Sequence, residues 1–208
     1  REYANREGWR LDLIDANEFA DADYVANPHD RCFYCKTNLY STMADAVDCV
    51  LVSGTNSDDL GDYRPGLRAA ADFGVLHPYV EAGMNKGAVR AVASALALHD
   101  LAVLPASPCL SSRVETGLAI NPEVLDAIYR AERLVQRELT PETARCRVRH
   151  EAVVIELDVE SIRVLDCTKA DELREQIGEL LSTAGVTDPV SFQTYRMGSA
   201  FLRPGHER

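Results

Sequence analysis

Cys109 lies within residues 105–113, a stretch with the sequence PASPCLSSR, whose residue types favour chemistry over packing. Proline fixes its own φ angle and restricts the residue before it, so the two prolines predict a stiff turn around the cysteine. Three serine hydroxyls and the guanidinium of Arg113 surround the thiol in the sequence. A nearby positive charge favours the thiolate, which is the reactive form of cysteine. The stretch therefore predicts catalytic roles for Cys109 and Arg113.

A second pair of cysteines, Cys32 and Cys35, has the spacing Cys-x-x-Cys and leads into a helical pattern. The partial positive charge at the start of a helix favours thiolates. Taken alone, this spacing fits a metal site, a redox pair or incidental spacing. A structural zinc site needs four ligands, and the sequence contains neither a second Cys-x-x-Cys nor a histidine pair.

Cys32, Cys35 and Cys109 are all predicted to lie in loops, so that three thiolates are available for one metal centre. Soft thiolates suit an iron–sulfur cluster that leaves one iron open for an added sulfide. The alternative is that Cys109 acts alone, as a nucleophile or a sulfur donor. The remaining cysteines, which we expect to be ordinary apolar residues with the first in a buried strand, are Cys49, Cys146 and Cys167.

A loop rich in carboxylates, residues 54–66, follows a nearly all-apolar run that predicts a central parallel strand. Ligands of open α/β sheets bind beyond the carboxyl ends of the strands, where this loop is expected. Carboxylates suit Mg²⁺, and the planar guanidinium of arginine suits a carboxylate or phosphate. We predict a catalytic role for Asp59, whereas a solvated acidic turn is the structural alternative. The residues predicted to bind substrate are Asn56, Asp58, Asp62 and Arg64.

Arg145, Arg147 and Arg149 alternate along a predicted strand, so their side chains share one face. Neighbouring guanidiniums repel one another unless an anion faces them. A phosphate-bearing substrate or an acidic surface of another subunit would meet this need, and a solvated strand face is the alternative. Glu132 on the preceding helix could supply a carboxylate close to these arginines.

The elements that carry these residues predict two domains, 1–118 and 119–208. Strands alternate with helices in the first, which indicates an α/β fold with a parallel sheet. The second begins with a helix capped by Asn121 and opened by Pro122, and its pattern indicates a small α+β domain. The predicted strands are 9–14, 48–52, 74–79, 101–104, 145–150, 152–157 and 190–195, and the main helices are 85–98, 121–139 and 168–185.

Charge and hydropathy argue against two classes of protein. The net charge of -11 argues against a nonspecific nucleic-acid binder, which needs clustered positive charge. The apolar runs are far shorter than the roughly 20 residues that span a bilayer, so we predict no membrane partner. Six irregularly spaced cysteines without an export signal predict a reducing, cytoplasmic location.

Three motifs in register, at residues 27–36, 54–66 and 105–113, resemble the LarE family. These are the ATP-dependent sulfur transferases that make the nickel-pincer nucleotide cofactor of lactate racemase. The resemblance covers essentially the whole chain. It implies a Rossmann-like parallel sheet of the PP-loop pyrophosphatase type, also called adenine-nucleotide alpha-hydrolase-like, for residues 1–118.

The resemblance also implies a reaction. ATP, with Mg²⁺, adenylates a carboxylate of pyridinium-3,5-biscarboxylic acid mononucleotide, and a sulfur nucleophile then displaces AMP to leave a thiocarboxylate. Members with only the equivalent of Cys109 give up its sulfur, whereas members with all three cysteines resemble the type with a 4Fe-4S cluster. This sequence has all three, so the cluster route is favoured. The resemblance further implies a hexameric homo-oligomer, with Glu132, Arg147 and Arg149 near the substrate phosphate and metal.

The sequence departs from the family in several respects, among them Asp72 where a glutamate is usual, residues 101–104 where Trp-Asp-Lys is usual, and a partly kept motif at residues 195–199. The phosphate-binding Ser-Gly-Gly-x-Asp-Ser loop is absent and would lie upstream of Arg1, so we interpret the sequence as truncated and expect weak ATP binding. Two other interpretations therefore remain. One is a PP-loop tRNA thiolase, which the acidic charge disfavours, and the other is a non-catalytic metal-binding or assembly module that lacks the ATP loop.

Overall fold

The computed structural model describes residues 1–61, 63–105 and 107–200. The chain divides into two compact units. Unit 1 contains Arg1–Asp21 and Cys32–Leu104, and unit 2 contains Ala22–Arg31 and the chain from Pro105 onward. The predicted domains, 1–118 and 119–208, differ from these units because the division falls at Leu104 and a short early segment joins unit 2.

The structure combines ten helices and three strands among the described residues. The mixed α/β class predicted from the sequence is therefore present. The helices are α1 (Glu2–Glu7), α2 (Ala22–Val25), α3 (Arg31–Ala46), α4 (Gly66–Asp72), α5 (Pro78–Glu81), α6 (Lys86–Ala95), α7 (His99–Ala102), α8 (Pro122–Leu139), α9 (Val159–Val164) and α10 (Cys167–Ser182). The strands are β1 (Ala144–Val148), β2 (Val153–Leu157) and β3 (Val190–Thr194). Single turns of 3-10 helix occur at Glu18–Ala20, Ser57–Gly61 and Leu110–Arg113.

Unit 1 is mostly helical. Its described residues contain one parallel β-bridge, between Val52 and Leu76, supported by a 2.9 Å hydrogen bond from the Leu76 amide to the Leu51 carbonyl. The bridge joins the predicted strands 48–52 and 74–79 in the expected parallel sense, but over a much shorter length. A small core packs around it, made of Tyr40, Leu51, Ala69, Ala70 and Val75.

Two predicted strands of unit 1 are wrong. Residues 9–14 are not a strand, and Trp9 and Leu13 of that segment are 49% and 63% exposed. Residues 101–104 fall in α7 and the turn after it rather than in a strand. Alternation makes a strand only where a neighbouring strand accepts its backbone hydrogen bonds, and short apolar runs do not distinguish strand from helix.

Helix α6 of unit 1 begins where the sequence predicts. The side chain of Asn85 accepts a 2.9 Å hydrogen bond from the amide of Ala88, which satisfies one of the free donors at the start of the helix. The helix ends at Ala95, three residues before the predicted end.

Unit 2 is built on the three-stranded sheet β1-β2-β3. β1 pairs with β2 antiparallel, and β2 pairs with β3 parallel. All five residues of the central strand β2 are buried, while α8 packs on β1 and α10 on β3. The core residues with the least exposed side chains include Ile128, Ile155, Leu157, Leu173 and Ile177. These strands and both long helices confirm the predicted α+β pattern.

The caps of the two long helices differ in how well the sequence predicts them. The Asn121 side chain accepts from the Glu123 amide at 2.7 Å with Pro122 in the first turn, as predicted. The cap of α10 is Asp166, which accepts from the Lys169 amide at 2.8 Å, rather than the predicted Thr168. The helix also ends at Ser182, before the predicted Gly185.

The segment Ala22–Arg31 belongs to unit 2 although most residues on either side of it belong to unit 1. Asn27 holds it in place. This residue is fully buried with a φ of 53°, and its side-chain amide donates to the carbonyls of Glu115 and Leu118, both at 2.8 Å. Asparagine tolerates this left-handed conformation better than most residues. A backbone bond from the Ile120 amide to the Val25 carbonyl, 2.8 Å long, completes the attachment.

Among the helices of the described residues, none combines the length and the apolar character that a membrane span requires.

Candidate active site

Cys109 is exposed and immediately precedes the 3-10 turn Leu110–Arg113. Its carbonyl accepts two hydrogen bonds from Ser112, one from the amide at 3.0 Å and one from the hydroxyl at 2.7 Å. The backbone is therefore held while the side chain remains accessible. This arrangement can present a thiol to a substrate.

Arg113 fixes the carbonyl groups of the Cys109 turn. One of its terminal nitrogens donates to the Pro108 carbonyl at 2.8 Å, the Cys109 carbonyl at 3.1 Å and the Ser112 hydroxyl at 3.1 Å. Its other two nitrogens donate to Glu132. Arg113 is only 5% exposed, so the structure places it beneath the turn as a positioning group. The catalytic role predicted for it remains a prediction.

Glu132 joins three elements of unit 2. Its carboxylate accepts two hydrogen bonds from the Arg113 guanidinium, at 2.9 and 3.1 Å, and one from the amide of Cys146, at 3.0 Å. It therefore links α8 to the Cys109 turn and to β1. The sequence places this carboxylate near the arginines of β1, whereas its ion pair in the structure is with Arg113.

Glu156 supplies the anion that faces two of the three alternating arginines. Arg147 donates to one of its oxygens at 2.9 Å and Arg149 to the other at 3.1 Å. Glu156 and Arg147 are 1% and 4% exposed. Arg147 also donates to the Ser112 carbonyl at 3.0 Å, which adds a second anchor for the Cys109 turn. Glu156 is not among the site residues predicted from the sequence. Its single indication there is that it is a lone carboxylate within an apolar strand.

Arg145 differs from the other two arginines. Within the part of the chain that the structure describes, its side chain donates to the Ala144 carbonyl at 2.7 Å and has no carboxylate within ion-pair distance. Burial lowers the pKa of its guanidinium, and repulsion from Arg113 acts in the same direction. Arg145 is thus the arginine of this strand that is best able to accept an external anion.

Cys32 and Cys35 lie in the first two turns of α3, which confirms the prediction that the pair sits at a helix start. The prediction that both cysteines occupy a loop is wrong. Residues three apart share a helix face, and both thiols are half-buried. The pair belongs to unit 1, whereas Cys109 belongs to unit 2. Across the described ranges, no three histidine, cysteine, aspartate or glutamate side chains form a group that could hold a metal ion.

The other three cysteines fall into two classes. Cys146 is buried, and burial raises the pKa of its thiol well above the ordinary value. Cys49 and Cys167 are exposed, so the expectation of a buried Cys49 is wrong. Cys49 precedes the short β-bridge, and no strand among the described residues extends to it.

The polar groups of the loop 54–66 bind the loop's own backbone and its neighbours. Asp59 accepts from the Asn56 amide at 3.1 Å and pairs with Arg64 at 2.7 Å. Asp58 accepts from the Lys86 amide at 3.0 Å, at the start of α6. These contacts give the loop a defined shape beyond Val52. Asp62 lies outside the described residues.

His77, to which the sequence assigns no role, lies at the base of this loop. Its Nδ1 is 2.7 Å from the hydroxyl of Ser53, which is 2.9 Å from the hydroxyl of Thr55. The contact ties the end of one bridged segment to the end of the other.

The chain is similar to several known proteins. No protein-family model matches the chain. An uncharacterized protein of Synechocystis is 37% identical over 156 residues, covering 73% of this chain and 58% of the relative. An uncharacterized protein of Methanocaldococcus jannaschii is 27% identical over 146 residues, covering 68% of this chain and 56% of the relative.

A third relative carries a functional name. Pyridinium-3,5-bisthiocarboxylic acid mononucleotide synthase of Lactiplantibacillus plantarum is 30% identical over 158 residues, covering 74% of this chain and 55% of the relative. This name describes a LarE-type synthase, in agreement with the resemblance of the three motifs. The chain spans little more than half the length of these curated relatives.

Proposed function

We propose that this chain is the cysteine-bearing part of a LarE-type enzyme that transfers sulfur to an activated carboxylate of a pyridinium mononucleotide. The observation that carries the proposal is the exposed thiol of Cys109 on a backbone turn held by Arg113. The named relative supports the same kind of reaction.

The proposed chemistry has two steps. A carboxylate of pyridinium-3,5-biscarboxylic acid mononucleotide attacks the α-phosphorus of ATP, and pyrophosphate leaves. A sulfur nucleophile then attacks the acyl carbon, the C–O bond to the phosphate breaks, and AMP leaves with that electron pair. A carboxylate is a poor electrophile, whereas its mixed anhydride with AMP has a good leaving group, so adenylation makes the sulfur attack possible.

Cys109 is the proposed point of sulfur delivery. Its thiol is exposed, and its backbone carbonyl accepts hydrogen bonds from Ser112 and Arg113. The backbone position from which the side chain extends is therefore fixed. Fixed geometry at the reacting atom accounts for a large part of enzymatic rate enhancement. The arginine holds the turn and does not need to touch the substrate.

We further propose that Cys32, Cys35 and Cys109 hold a 4Fe-4S cluster. Thiolates are the ligands that such clusters take, and two of the three cysteines lie on one face of α3. When bound, the cluster would carry the sulfide that is transferred. The alternative is that Cys109 gives up its own sulfur and becomes dehydroalanine.

Three arginines, two on β1 and one directly after it, are the proposed site for the phosphate of the substrate. Arg147 and Arg149 share the single carboxylate of Glu156, so this pair retains excess positive charge. Arg145 adds a guanidinium without an ion pair among the described residues, and a phosphate would neutralise it. Glu132 acts through Arg113 rather than as a direct contact.

ATP is the proposed co-substrate, and Asn56, Asp58, Asp59, Asp62 and Arg64 of the loop 54–66 are proposed to contact it or the substrate. Within the described residues, Asp58 and Asp59 do not form a three-ligand metal group, so we assign no step to a Mg²⁺ ion held by the loop. A Mg²⁺ ion bound by the phosphates of ATP needs few protein ligands. We also propose a cytoplasmic location. We propose that the chain forms a homo-oligomer, which the resemblance implies to be a hexamer.

The test is a single-turnover assay of the protein with ATP, Mg²⁺ and pyridinium-3,5-biscarboxylic acid mononucleotide, after anaerobic reconstitution with iron and sulfide. We expect a thiocarboxylate product by mass spectrometry, and its loss in Cys109→Ser. Cys167→Ser is the matched control, since it removes another exposed thiol of unit 2. Equal activity of the two variants would contradict the role of Cys109.

The cluster is tested separately by absorbance and electron paramagnetic resonance. If Cys109→Ala assembles the same centre as the wild type, Cys109 is not a ligand. A protein mass that falls by about one sulfur after turnover would establish the sacrificial route instead. Tight tRNA binding at physiological salt would favour a tRNA thiolase.

A further inference from the structure

The burial of the chain changes just after Cys109. Residues 107–109 are exposed, whereas residues 111–115 are buried. A buried carbonyl without a hydrogen-bond donor costs free energy, and a single 3-10 turn supplies few donors of its own. The buried part of the Cys109 turn therefore needs donors from other elements of unit 2.

The segment 22–31 supplies part of this need. One terminal nitrogen of Arg31 donates to the carbonyl of Ser111 at 3.0 Å and to the side-chain oxygen of Asn27. The hydroxyl of Tyr24 lies 2.8 Å from the hydroxyl of Ser111. Tyr24 and Arg31 are both 3% exposed, so these bonds are shielded from water. The hydroxyl and the carbonyl of Ser111 are thus both bound by the segment 22–31.

The attachment of this segment to unit 2 has other support. Asn27 and the Val25 carbonyl bind partners within residues 114–120, beyond the Cys109 turn. The bonds to Ser111 instead reach into the turn, two residues after the cysteine that bears the exposed thiol. Two residues of chain span at most about 7 Å, so a displacement of Ser111 is passed on to Cys109.

A buried pair of hydroxyls contributes more to orientation than to stability. Replacing both partners of a buried hydrogen bond with apolar groups is often nearly neutral for the free energy of unfolding, whereas replacing one partner leaves the other unsatisfied. Phenylalanine and alanine would fill much the same space as Tyr24 and Ser111. Such a pair would lack the directed bond that fixes where Ser111 lies.

We propose that Tyr24 and Arg31 are positioning residues for the Cys109 thiol and act through Ser111. This inference rests on the proposed function, in which Cys109 delivers sulfur. Arg113 holds the carbonyl of Cys109 itself, and the other two residues hold the first buried residue after it. A reacting group displaced by about 1 Å can lose about 10²-fold in rate. The first of the three motifs therefore contributes a positioning arginine as well as its two cysteines.

The first test compares Tyr24→Phe, Ser111→Ala and the double variant in the single-turnover assay. Each rate is divided by the folded fraction, which circular dichroism measures. We expect each single variant to form thiocarboxylate about tenfold more slowly, with the half-saturating substrate concentration unchanged, because neither hydroxyl is placed to bind substrate. The double variant should be no slower than the slower single variant, since all three lack the same bond.

The double variant also separates positioning from folding. If Tyr24 and Ser111 position the thiol, the double variant should recover the unfolding free energy while its rate stays low. Recovery of the wild-type rate together with the stability would overturn the inference, because the bond would then serve folding alone. Tyr129→Phe is the matched control, since it removes a hydroxyl from a half-exposed ring of the same unit, and it should keep the wild-type rate.

Arg31 is tested by two substitutions of similar length. A single nitrogen makes the bonds to Asn27 and Ser111, so the ammonium of Arg31→Lys can take a similar place. Arg31→Met keeps most of the apolar chain and removes every donor. We expect Arg31→Lys to keep a transfer rate at least about tenfold above that of Arg31→Met. Equal rates of the two folded variants would contradict the positioning role of this arginine.

Hydrogen exchange needs no substrate, so it distinguishes a failure of this inference from a failure of the proposed function. The amides of residues 109–115 should exchange about tenfold faster in Tyr24→Phe than in the wild type, while β2 keeps its protection. Faster exchange without any thiocarboxylate from the wild type would contradict the proposed function and support the positioning of the turn. An active wild type whose variants keep both its exchange and its rate would overturn the inference and leave the proposed function intact.

Discussion

Arg113 and Glu132 are joined by two hydrogen bonds, 2.9 and 3.1 Å long, between a guanidinium and a carboxylate that are both largely shielded from water. The same guanidinium holds the carbonyls of Pro108 and Cys109, and the same carboxylate holds the amide of Cys146. The exposed thiol is therefore positioned by a residue pair that connects its turn to a long helix and to the sheet.

Replacing Glu132 by glutamine should destabilise unit 2. The guanidinium of Arg113 would remain buried without its counter-charge, which typically costs about 3 kcal/mol or more. Chemical denaturation monitored by circular dichroism measures the loss. Glu138→Gln on the same helix is the control, because its pairs with Arg137 and Lys169 are exposed to water and contribute little to stability. Equal losses in both variants would contradict the structural role of Glu132.

Arg145 and Arg147 should respond differently to substitution by glutamine. Arg147→Gln leaves Glu156 with fewer partners in a buried site and should lower the unfolding free energy by about 3 kcal/mol. Arg145→Gln removes a cation without an ion pair among the described residues, so stability should hold or rise. If Arg145 binds the substrate phosphate, its variant should raise KM about tenfold or more.

Steady-state kinetics and denaturation on the same two preparations separate these effects. An Arg145 variant with unchanged KM and reduced stability would show that the residue is structural. An Arg147 variant of normal stability would show that Glu156 does not depend on it.

The cysteines should react with iodoacetamide in two classes at mildly alkaline pH. Cys109 is exposed, whereas Cys146 is buried and its thiol pKa is raised by burial, so alkylation of Cys146 should be slower by about 10²-fold or more. Peptide mapping by mass spectrometry measures both rates. Denaturant should remove the difference. Rapid labelling of Cys146 in the folded protein would contradict its burial.

Asp158 should contribute a pH-dependent part of the stability. Hydrogen bonds from the amide of Ser161, then from Thr143 and the Ser161 hydroxyl, lower the pKa of its carboxyl group in the folded state. A lowered folded pKa stabilises the protein above the ordinary aspartate pKa of about 4, and this stability is lost as pH falls through the folded value.

The variant Asp158→Ala should therefore be less stable than the wild type by about 1 kcal/mol at neutral pH, since it lacks the cap of α9. Thermal unfolding of both proteins from neutral to acidic pH measures the difference. The difference in stability between the wild type and the variant should become smaller below about pH 4. A constant difference across this range would mean that charge on Asp158 is not involved.

Unit 2 is the part of the fold that the sequence predicts well, because its signals are local. Asn121 and Pro122 mark the start of α8, and alternating residues mark β1. The pairing of Glu156 with two arginines is not local, since strand register decides which side chains meet. The alternation in the sequence therefore identifies the arginines. It does not show that the carboxylate facing them comes from the same chain.

Unit 1 is predicted less well because its short segments depend on neighbours. Residues 9–14 alternate like a strand, yet no described strand pairs with them, and their apolar side chains remain exposed. The composition of the loop 54–66 predicts that its carboxylates bind a ligand. Composition does not show that Asp58 and Asp59 already bind backbone amides and Arg64. Composition indicates which ligands are available, and the folded backbone determines which are already engaged.

The attachment of Ala22–Arg31 to unit 2 has a consequence for how the chain is made. A ribosome releases Asn27 long before it releases Glu115 and Leu118, whose carbonyls the Asn27 side chain binds. During that interval this segment lacks its native partners, while residues of unit 1 emerge behind it. Unit 2 can therefore complete its packing only after residue 118 has been made, so an early segment of the chain waits for a late one.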